Sequence, residues 1–327
     1  MEKDPSDTVV VITGASSGIG RATAQLFAGA GASVVLAARS KETLEEVAIE
    51  CSRVGGTALV VPTDVRSEDE VRELARRAIE HFGHIDVWVN NAAVSLFGRT
   101  EDVPYEAYRQ VIETNLFGSI HGARAALPGF RAQGHGVLIN VGSVAGIFGQ
   151  PYTSAYCVTK FGVRGLGESL RQELMDAPNI HVCTVMPATV DTPIFQQAAN
   201  YTGRAVQPIP PVIDPYRVAH TIVELVGRPQ REVIVGWAGR MMAAQHAIAP
   251  GRAERRMAKT VEEKHLTDRP APLSPGNLFS PVPEQNHVSG GWSRDGSPGR
   301  RERIPAALAL SMPALGLAAA VLLLLRR

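Results

Sequence analysis

Cysteine is scarce in this chain. The three present, Cys51, Cys157 and Cys183, have neither metal-ligand spacing nor the framework of a disulfide scaffold, which points to a reducing compartment. An excess of one charge is missing as well: 33 Lys and Arg stand against 32 Asp and Glu, a formal net charge of +1. That balance gives no reason to expect nucleic acid as a partner. The opening MEKDPSD holds no apolar stretch, so no signal peptide is read there. No repeat is visible beyond an alternation of strand and helix patterns. Hydrophobic residues at 45% and aromatic residues at 6% are ordinary for a folded α/β protein. A length of 327 residues allows a substantial core, in one large domain or two smaller ones.

The most informative stretch that is present lies near the start. Thr8 to Thr13 reads TVVVIT, an apolar, β-branched run with little alternation, as a strand buried on both faces requires. Gly14, Ala15, Ser16, Ser17, Gly18, Ile19 and Gly20 follow, and from Arg21 the pattern becomes helical. Strand, glycine turn and helix together form a cradle for phosphate, since glycines admit close backbone approach and helix-terminal N–H groups face the anion. The turn lacks the lysine of a P-loop, which removes the ATPase reading. Gly14, Ser16 and Gly18 also satisfy the G-x-S-x-G turn of hydrolases. That reading needs an acid and then a histidine at later strand ends, and none of the nine histidines stands out there.

Downstream, strands are expected at Ser33 to Ala38, Thr57 to Pro62 and Ile85 to Asn90, with helices from Ser40 to Arg53 and from Ser67 to His81 between them. Ser67 is placed to cap its helix, with Glu68, Asp69 and Glu70 near the positive end. A long helix from Tyr105 to Arg131, broken or ended near Pro128, precedes a strand at Gly136 to Val141. A second long helix, Ser154 to Met175, precedes a strand at Ile180 to Met186. A helix from Tyr216 to Val226 and a seventh strand at Glu232 to Val235 complete the pattern. Strict alternation implies a Rossmann-type, doubly wound parallel sheet of about seven strands in a single catalytic domain. Gly118, Gly122, Gly162, Gly165 and Gly167 on the long helices permit either a subunit interface, in a homodimer or homotetramer, or simple contact with the sheet. The proline-rich stretch from Ala188 to Tyr216 is long for a connection and reads as a binding loop or lid.

Four polar residues fall at strand ends or on the long helices: Asn115, Ser143, Tyr156 and Lys160. Tyr156 and Lys160, four apart, share one helix face. Ser143 follows the fifth strand, on the side where doubly wound folds bind ligands. Taken singly, the serine is a helix cap, the tyrosine and lysine line a surface, and the asparagine caps a turn. Taken together they suit hydride transfer: a phenol gives or takes the proton if its pKa of roughly 10 falls toward the working pH, and a nearby ammonium favours phenolate.

With these residues in place the chain resembles the short-chain dehydrogenase/reductase family over about residues 5 to 240. The motif T-G-x-x-x-G-x-G appears as Thr13 to Gly20, N-N-A-G as Asn90-Asn91-Ala92-Ala93, and Y-x-x-x-K as Tyr156 to Lys160. Ala93 and Ala188 stand where the family's motifs carry glycine. The resemblance implies that Tyr156 is the acid/base, that Lys160 lowers its pKa and binds the nicotinamide ribose, that Ser143 orients substrate and that Asn115 holds a water. It also implies that Asp64 meets adenine, that Asn91 sits by the adenosine ribose, that Val190 and Thr192 meet the carboxamide end, and that Val65 and Ala92 bind the cofactor with them. The second strand ends at Ala38-Arg39, with no acid to bind ribose hydroxyls and a guanidinium suited to a 2′-phosphate, so NADP(H) is the expected cofactor. The activity implied is interconversion of a carbonyl and an alcohol; the rival is an NADP(H)-binding scaffold or redox sensor with negligible turnover.

The C-terminal part carries three further expectations. Arg240 to Lys264 is amphipathic and either covers the body, which runs over 5–264, or lies against lipid. His265 to Arg303, rich in Pro, Gly and Ser, reads as a flexible tether. Ile304 to Leu325 holds no charge and is long enough to cross a bilayer, against the rivals of a lipid-surface or docking helix. A transmembrane tail with the enzyme facing the cytoplasm follows, together with a bilayer partner and a small hydrophobic carbonyl or alcohol as substrate.

Overall fold

β-Branched runs without polar alternation form the middle of the sheet in the computed structural model, which describes residues 7–293. Val9–Thr13 (β1) is buried along its whole length. Val10 and Ile12 point to one face and Val9 and Val11 to the other, as the two-residue strand period demands. The chain continues through Gly18–Gly29 (α1), Ser33–Ala38 (β2), Lys41–Arg53 (α2), Thr57–Pro62 (β3), Glu68–Phe82 (α3) and Val87–Asn90 (β4). Then follow Leu96–Phe97 (β5), Tyr105–Ile112 (α4), Gly118–Gln133 (α5), Gly136–Val141 (β6), Ser154–Glu173 (α6) and Ile180–Pro187 (β7). Ile194–Gln197 (α7), Ala199–Asn200 (β8), Arg204–Val206 (β9), Pro215–Gly227 (α8), Glu232–Val235 (β10), Trp237–Ile248 (α9), Pro250–Thr260 (α10) and Leu266–Pro270 (β11) complete it.

Seven strands make one parallel sheet in the order β10-β7-β6-β4-β1-β2-β3. Phe27, Leu44 and Ile222, from α1, α2 and α8, pack on one face, and Leu74, Phe130 and Leu170, from α3, α5 and α6, on the other. The order reverses between β1 and β4, so the crevice at the carboxyl ends of these two strands is the ligand position in a doubly wound sheet. Ser67 caps α3 by accepting from the Glu70 N–H, with three acids in the first turn.

Four expectations are corrected. Pro128 does not end its helix: α5 runs on to Gln133 and stops at left-handed Gly134. Pro128 and Arg124 face solvent, so the carbonyl that loses its donor can turn to water. Four of the five glycines of the long helices, Gly118, Gly122, Gly162 and Gly167, pack inside the chain, because a Cβ on Gly122 would lie 2.0 Å from Asn90 Oδ1 and one on Gly162 would lie 2.9 Å from Leu116, while Gly165 faces open space. They give no argument for a partner copy; Phe117, Val158 and Phe161 are the exposed apolar groups of that region.

The part of the tether up to Ser293 is laid against the body. β11 pairs antiparallel with β9, Asn200 bridges to Ser274, and Leu278 is fully buried. Composition misled here because a few apolar anchors and many backbone bonds suffice to seat a polar segment.

The membrane anchor is the fourth correction. The Ile304 to Leu325 run and residues 294–303 lie outside the described residues, and among the described residues no helix is long and apolar enough to cross a membrane. α6, with 20 residues, carries Lys160, Arg164, Glu168, Arg171 and Glu173. The transmembrane tail, the bilayer partner and the membrane placement are withdrawn, since apolar length in a sequence is a statement of composition and does not by itself place a segment.

Candidate active site

Thr13 closes β1 and laces it to β4. Its hydroxyl donates to the Val89 carbonyl at 3.2 Å and accepts from the N–H groups of Asn91 at 3.0 Å and Ala92 at 3.2 Å. Asn91 Nδ2 returns the tie, donating to the carbonyls of Thr13 at 2.9 Å and Gly14 at 3.0 Å. Gly14 has φ +66°, and a Cβ there would lie 2.7 Å from Ala92 Cα, so a side chain is excluded. Gly20 is excluded from carrying one by the Gly14 carbonyl, 2.2 Å from its would-be Cβ. These contacts hold the first turn of α1 at the crevice. Ser17, its N-cap, makes no side-chain capping bond, and Ser16, Ser17, Gly18 and Ile19 line the cavity. A helix start without a side-chain cap, facing a cavity, fits the phosphates of a dinucleotide.

Ser143, Tyr156 and Lys160 converge on the same cavity from β6 and α6. Ser143, just past β6, caps a short 3₁₀ turn by accepting from Ala145 N–H at 3.1 Å, and its side chain also hydrogen-bonds to Tyr156. Capping the turn therefore does not take this serine away from the phenol. Tyr156 and Lys160 lie one turn apart on α6, with Lys160 Nζ 5.4 Å from the phenol ring centroid. The ammonium donates to the Val141 carbonyl at 2.8 Å. Burial pushes the Tyr156 phenol up to about 12, against the pull of the Ser143 hydrogen bond, and pushes Lys160 down to about 8. The expected fall of the phenol toward neutral pH is thus not supplied by Lys160 alone: both groups lose water, and loss of water disfavours each charged form.

At the other end of the cavity stand Arg39, Asp64 and Val65. Arg66 donates to Asp64 from Nε at 2.9 Å. Burial opposes the Asp64 charge, yet this bond and a bond from the Arg66 N–H leave the carboxyl below its ordinary value. Arg39 lies part-buried beneath the C-terminal segment, whose Asn277 and Leu278 carbonyls it meets. Burial draws its pKa down, partly offset by Asp64.

Most of the residues expected at the site line this one cavity: Gly14, Ser16, Ser17, Gly18, Ile19, Arg39, Asp64, Val65, Asn91, Ala92, Ser143, Tyr156, Lys160, Val190 and Thr192. Thr13, Gly20 and Asn115 are not in its lining. Thr13 and Gly20 shape the turn from behind. Asn115 sits in a π-helical turn, Glu113–Phe117, with Oδ1 accepting from Val94 N–H at 2.8 Å and Nδ2 donating to the Val94 carbonyl at 2.9 Å. Its side chain is committed to the loop after β4, and the water-holding role that the resemblance implies gains no side-chain donor from it.

Sequence reasoning missed several lining residues. Phe97, Phe195, Ile209 and His265 form an apolar end, and Asn277, Pro281, Val282 and Asn286 an outer wall. None belongs to a motif. Leu278, the lone large aliphatic residue between Leu273 and Val282, was the one visible hint that the segment has a buried anchor.

Comparison with known proteins agrees with this geometry. A family profile described as short chain dehydrogenase matches residues 8–202. An uncharacterised oxidoreductase of Bacillus subtilis is 38% identical over 274 residues, covering 82% of this chain and 76% of the relative. An uncharacterised oxidoreductase of Staphylococcus aureus is 35% identical over 225 residues, covering 69% of this chain and 93% of the relative. Among solved structures, an alcohol dehydrogenase from the archaeon Thermococcus sibiricus, complexed with 5-hydroxy-NADP, superposes with a TM-score of 0.61 at 29% identity, covering 70% of this chain and 95% of that one. A short-chain dehydrogenase/reductase from Burkholderia phymatum in complex with NAD gives 0.68 at 25% identity, covering 76% and 95%.

Proposed function

This chain belongs to the short-chain dehydrogenase family, and from that premise we propose that it is an NADP(H)-dependent oxidoreductase interconverting a ketone or aldehyde with its alcohol on a hydrophobic substrate. The observation that carries the proposal is one cavity joining the glycine turn to Ser143, Tyr156 and Lys160. Nucleotide binding alone requires neither the serine nor the tyrosine. The solved relatives hold an NADP derivative in one case and NAD in the other, so the preference for NADP(H) rests on Arg39 and on the absence of an acid at the end of β2.

A bound reduced nicotinamide supplies hydride to the carbonyl carbon. The protein's part is to supply the proton. Tyr156, with its phenol pushed up to about 12, is protonated at neutral pH and donates to the carbonyl oxygen as the C=O electron pair moves onto it. Ser143 holds that oxygen by a hydrogen bond. Lys160, mostly charged below about pH 8, stabilises the phenolate left behind until solvent returns a proton. The test is a panel of aldehydes and ketones, lipid-like ones included, run with NADPH and NADH and in both directions. NADPH-dependent reduction is expected. Binding of NADPH with no turnover across the panel would leave a nucleotide-binding scaffold, and preference for NADH would overturn the cofactor assignment.

The far wall narrows the substrate. Phe97 and Phe195 meet the His265 ring edge-on, with centroids 5.0 Å and 5.8 Å away. His265 is only 3% exposed; burial holds it below the ordinary histidine pKa, partly offset by its bond to Gln207. Because the Gln207 carbonyl can only accept, Nδ1 carries the proton. Nε2 then has a free lone pair and no hydrogen-bond partner among the described residues. An apolar chamber with one acceptor suits an apolar carbonyl compound bearing a distal hydroxyl or N–H. His265→Phe is expected to raise KM about ten-fold for an ω-hydroxy ketone, the value of one hydrogen bond to a buried acceptor, while leaving the matching plain ketone nearly unchanged. Equal changes for both, measured by initial rates, would remove this role.

A further inference from the structure

Between Asn277 and His287 the chain answers the dinucleotide-binding donors with its own backbone oxygens. Arg39 donates through Nη2 to the Asn277 carbonyl at 2.7 Å and through Nη1 to the Leu278 carbonyl at 3.1 Å. The Gly18 amide, at the start of α1, donates to the His287 carbonyl at 2.9 Å. Arg21 donates to the Asn286 carbonyl. On the reading above, Arg39 meets the 2′-phosphate and Gly18 belongs to the turn that holds the pyrophosphate, so carbonyl oxygens stand at donors that phosphate oxygens would use.

The segment is firmly seated. Leu278 has 0% exposure and packs with Val94, Leu96 and Val111, and its carbonyl also accepts from Gln110 at 2.9 Å. Asn286 Nδ2 donates to Thr43 Oγ1 at 2.9 Å. Beyond it, Asp191 accepts from the Trp292 N–H at 2.9 Å and from the hydroxyls of Ser289 at 2.8 Å and Ser293 at 2.7 Å.

We propose that residues 277–287 compete with the dinucleotide's phosphates, at Gly18 with the pyrophosphate common to both cofactors and at Arg39 with the 2′-phosphate, and so set cofactor preference through Arg39, a role that rests on the NADP(H) reading. A 2′-phosphate brought to Arg39 faces two carbonyl oxygens that repel it, and the ion-paired hydrogen bonds it makes are stronger than those of a neutral carbonyl. NADP(H) therefore displaces the Asn277–Leu278 anchor, whereas NAD(H), with no 2′-phosphate, leaves that anchor in place.

Hydrogen–deuterium exchange of the full chain reads this directly. NADPH and 2′,5′-ADP are expected to speed exchange around the Asn277–Leu278 anchor by about ten-fold or more, the value of one charge-assisted hydrogen bond. NADH and 5′-AMP are expected to leave exchange there near its unliganded rate. Leu278→Ala, which unseats the segment without touching the main sheet, is expected to tighten NADPH binding about ten-fold and to change NADH binding far less. Asn286→Ala, which removes the buried bond to Thr43 that helps seat the same segment, is expected to act in the same direction. Slower exchange with NADPH, or weaker NADPH binding by Leu278→Ala, would make the segment a roof that closes over the cofactor and would overturn the competition. An equal response to both dinucleotides would overturn its role in preference. Normal, NADPH-selective binding with an unmoved segment would sink this inference alone, whereas failure to bind either dinucleotide would overturn the cofactor reading and this one with it.

Discussion

Tyr156→Phe is expected to lower turnover by about 10²- to 10⁴-fold, the range attached to a positioned general acid, with NADPH affinity nearly unchanged. The substitution deletes one oxygen and keeps the ring that Lys160 Nζ approaches at 5.4 Å. What disappears is the proton for the carbonyl oxygen and the partner of Ser143. Because the phenol sits at about 12, the wild-type enzyme holds that proton at every ordinary assay pH, and reduction needs no prior ionisation of Tyr156. Oxidation of the alcohol runs the other way: it needs the phenolate, whose fraction rises with pH. Single-turnover reduction, with a separate NADPH titration, distinguishes a lost proton donor from lost cofactor binding. Equal turnover in wild type and Tyr156→Phe at saturating substrate would remove Tyr156 from the chemistry.

The central sheet was readable because its signal is strong and local. Val9 to Ile12 is apolar at every position, so both faces had to be covered, and the βα alternation then left little choice of topology. That Tyr156 and Lys160 share one helix face was legible for a similar reason, since a four-residue spacing on a helix survives any error in where the helix begins. Other parts depended on contacts that no local pattern encodes. Asn115 looks like a polar group free to act, and only the fold shows its side chain tied to Val94. Residues 265–293 have the composition of a linker, yet Leu278 and a series of backbone carbonyls hold them against the site. The direction of the Tyr156 shift was also hidden, because burial is a property of the folded site and a tyrosine–lysine spacing says nothing about it.

Reduction is expected to fall as pH rises through about 8, and Lys160→Met is expected to remove that limb while lowering the rate below it by about 10²-fold, the scale of one preorganised electrostatic contact. Lys160 is 3% exposed, and burial brings its pKa from the ordinary 10.5 down to about 8. Below that value the ammonium is present and stabilises the phenolate formed when Tyr156 gives up its proton. Above it the amine is neutral, and the same proton transfer leaves an unpaired buried charge. Folding stability moves in the opposite sense. The unfolded chain, with an ordinary lysine, holds its proton up to about 10.5, so between about pH 8 and that value the unfolded state binds more protons and this group's contribution to stability rises with pH. Loss of rate across the limb consequently cannot come from Lys160 loosening the fold. A profile of kcat/KM for reduction from about pH 6 to about pH 10, with circular dichroism at each point, separates the two effects. A flat wild-type profile through pH 8, or a limb that persists unchanged in Lys160→Met, would show that the ammonium is not the group being titrated.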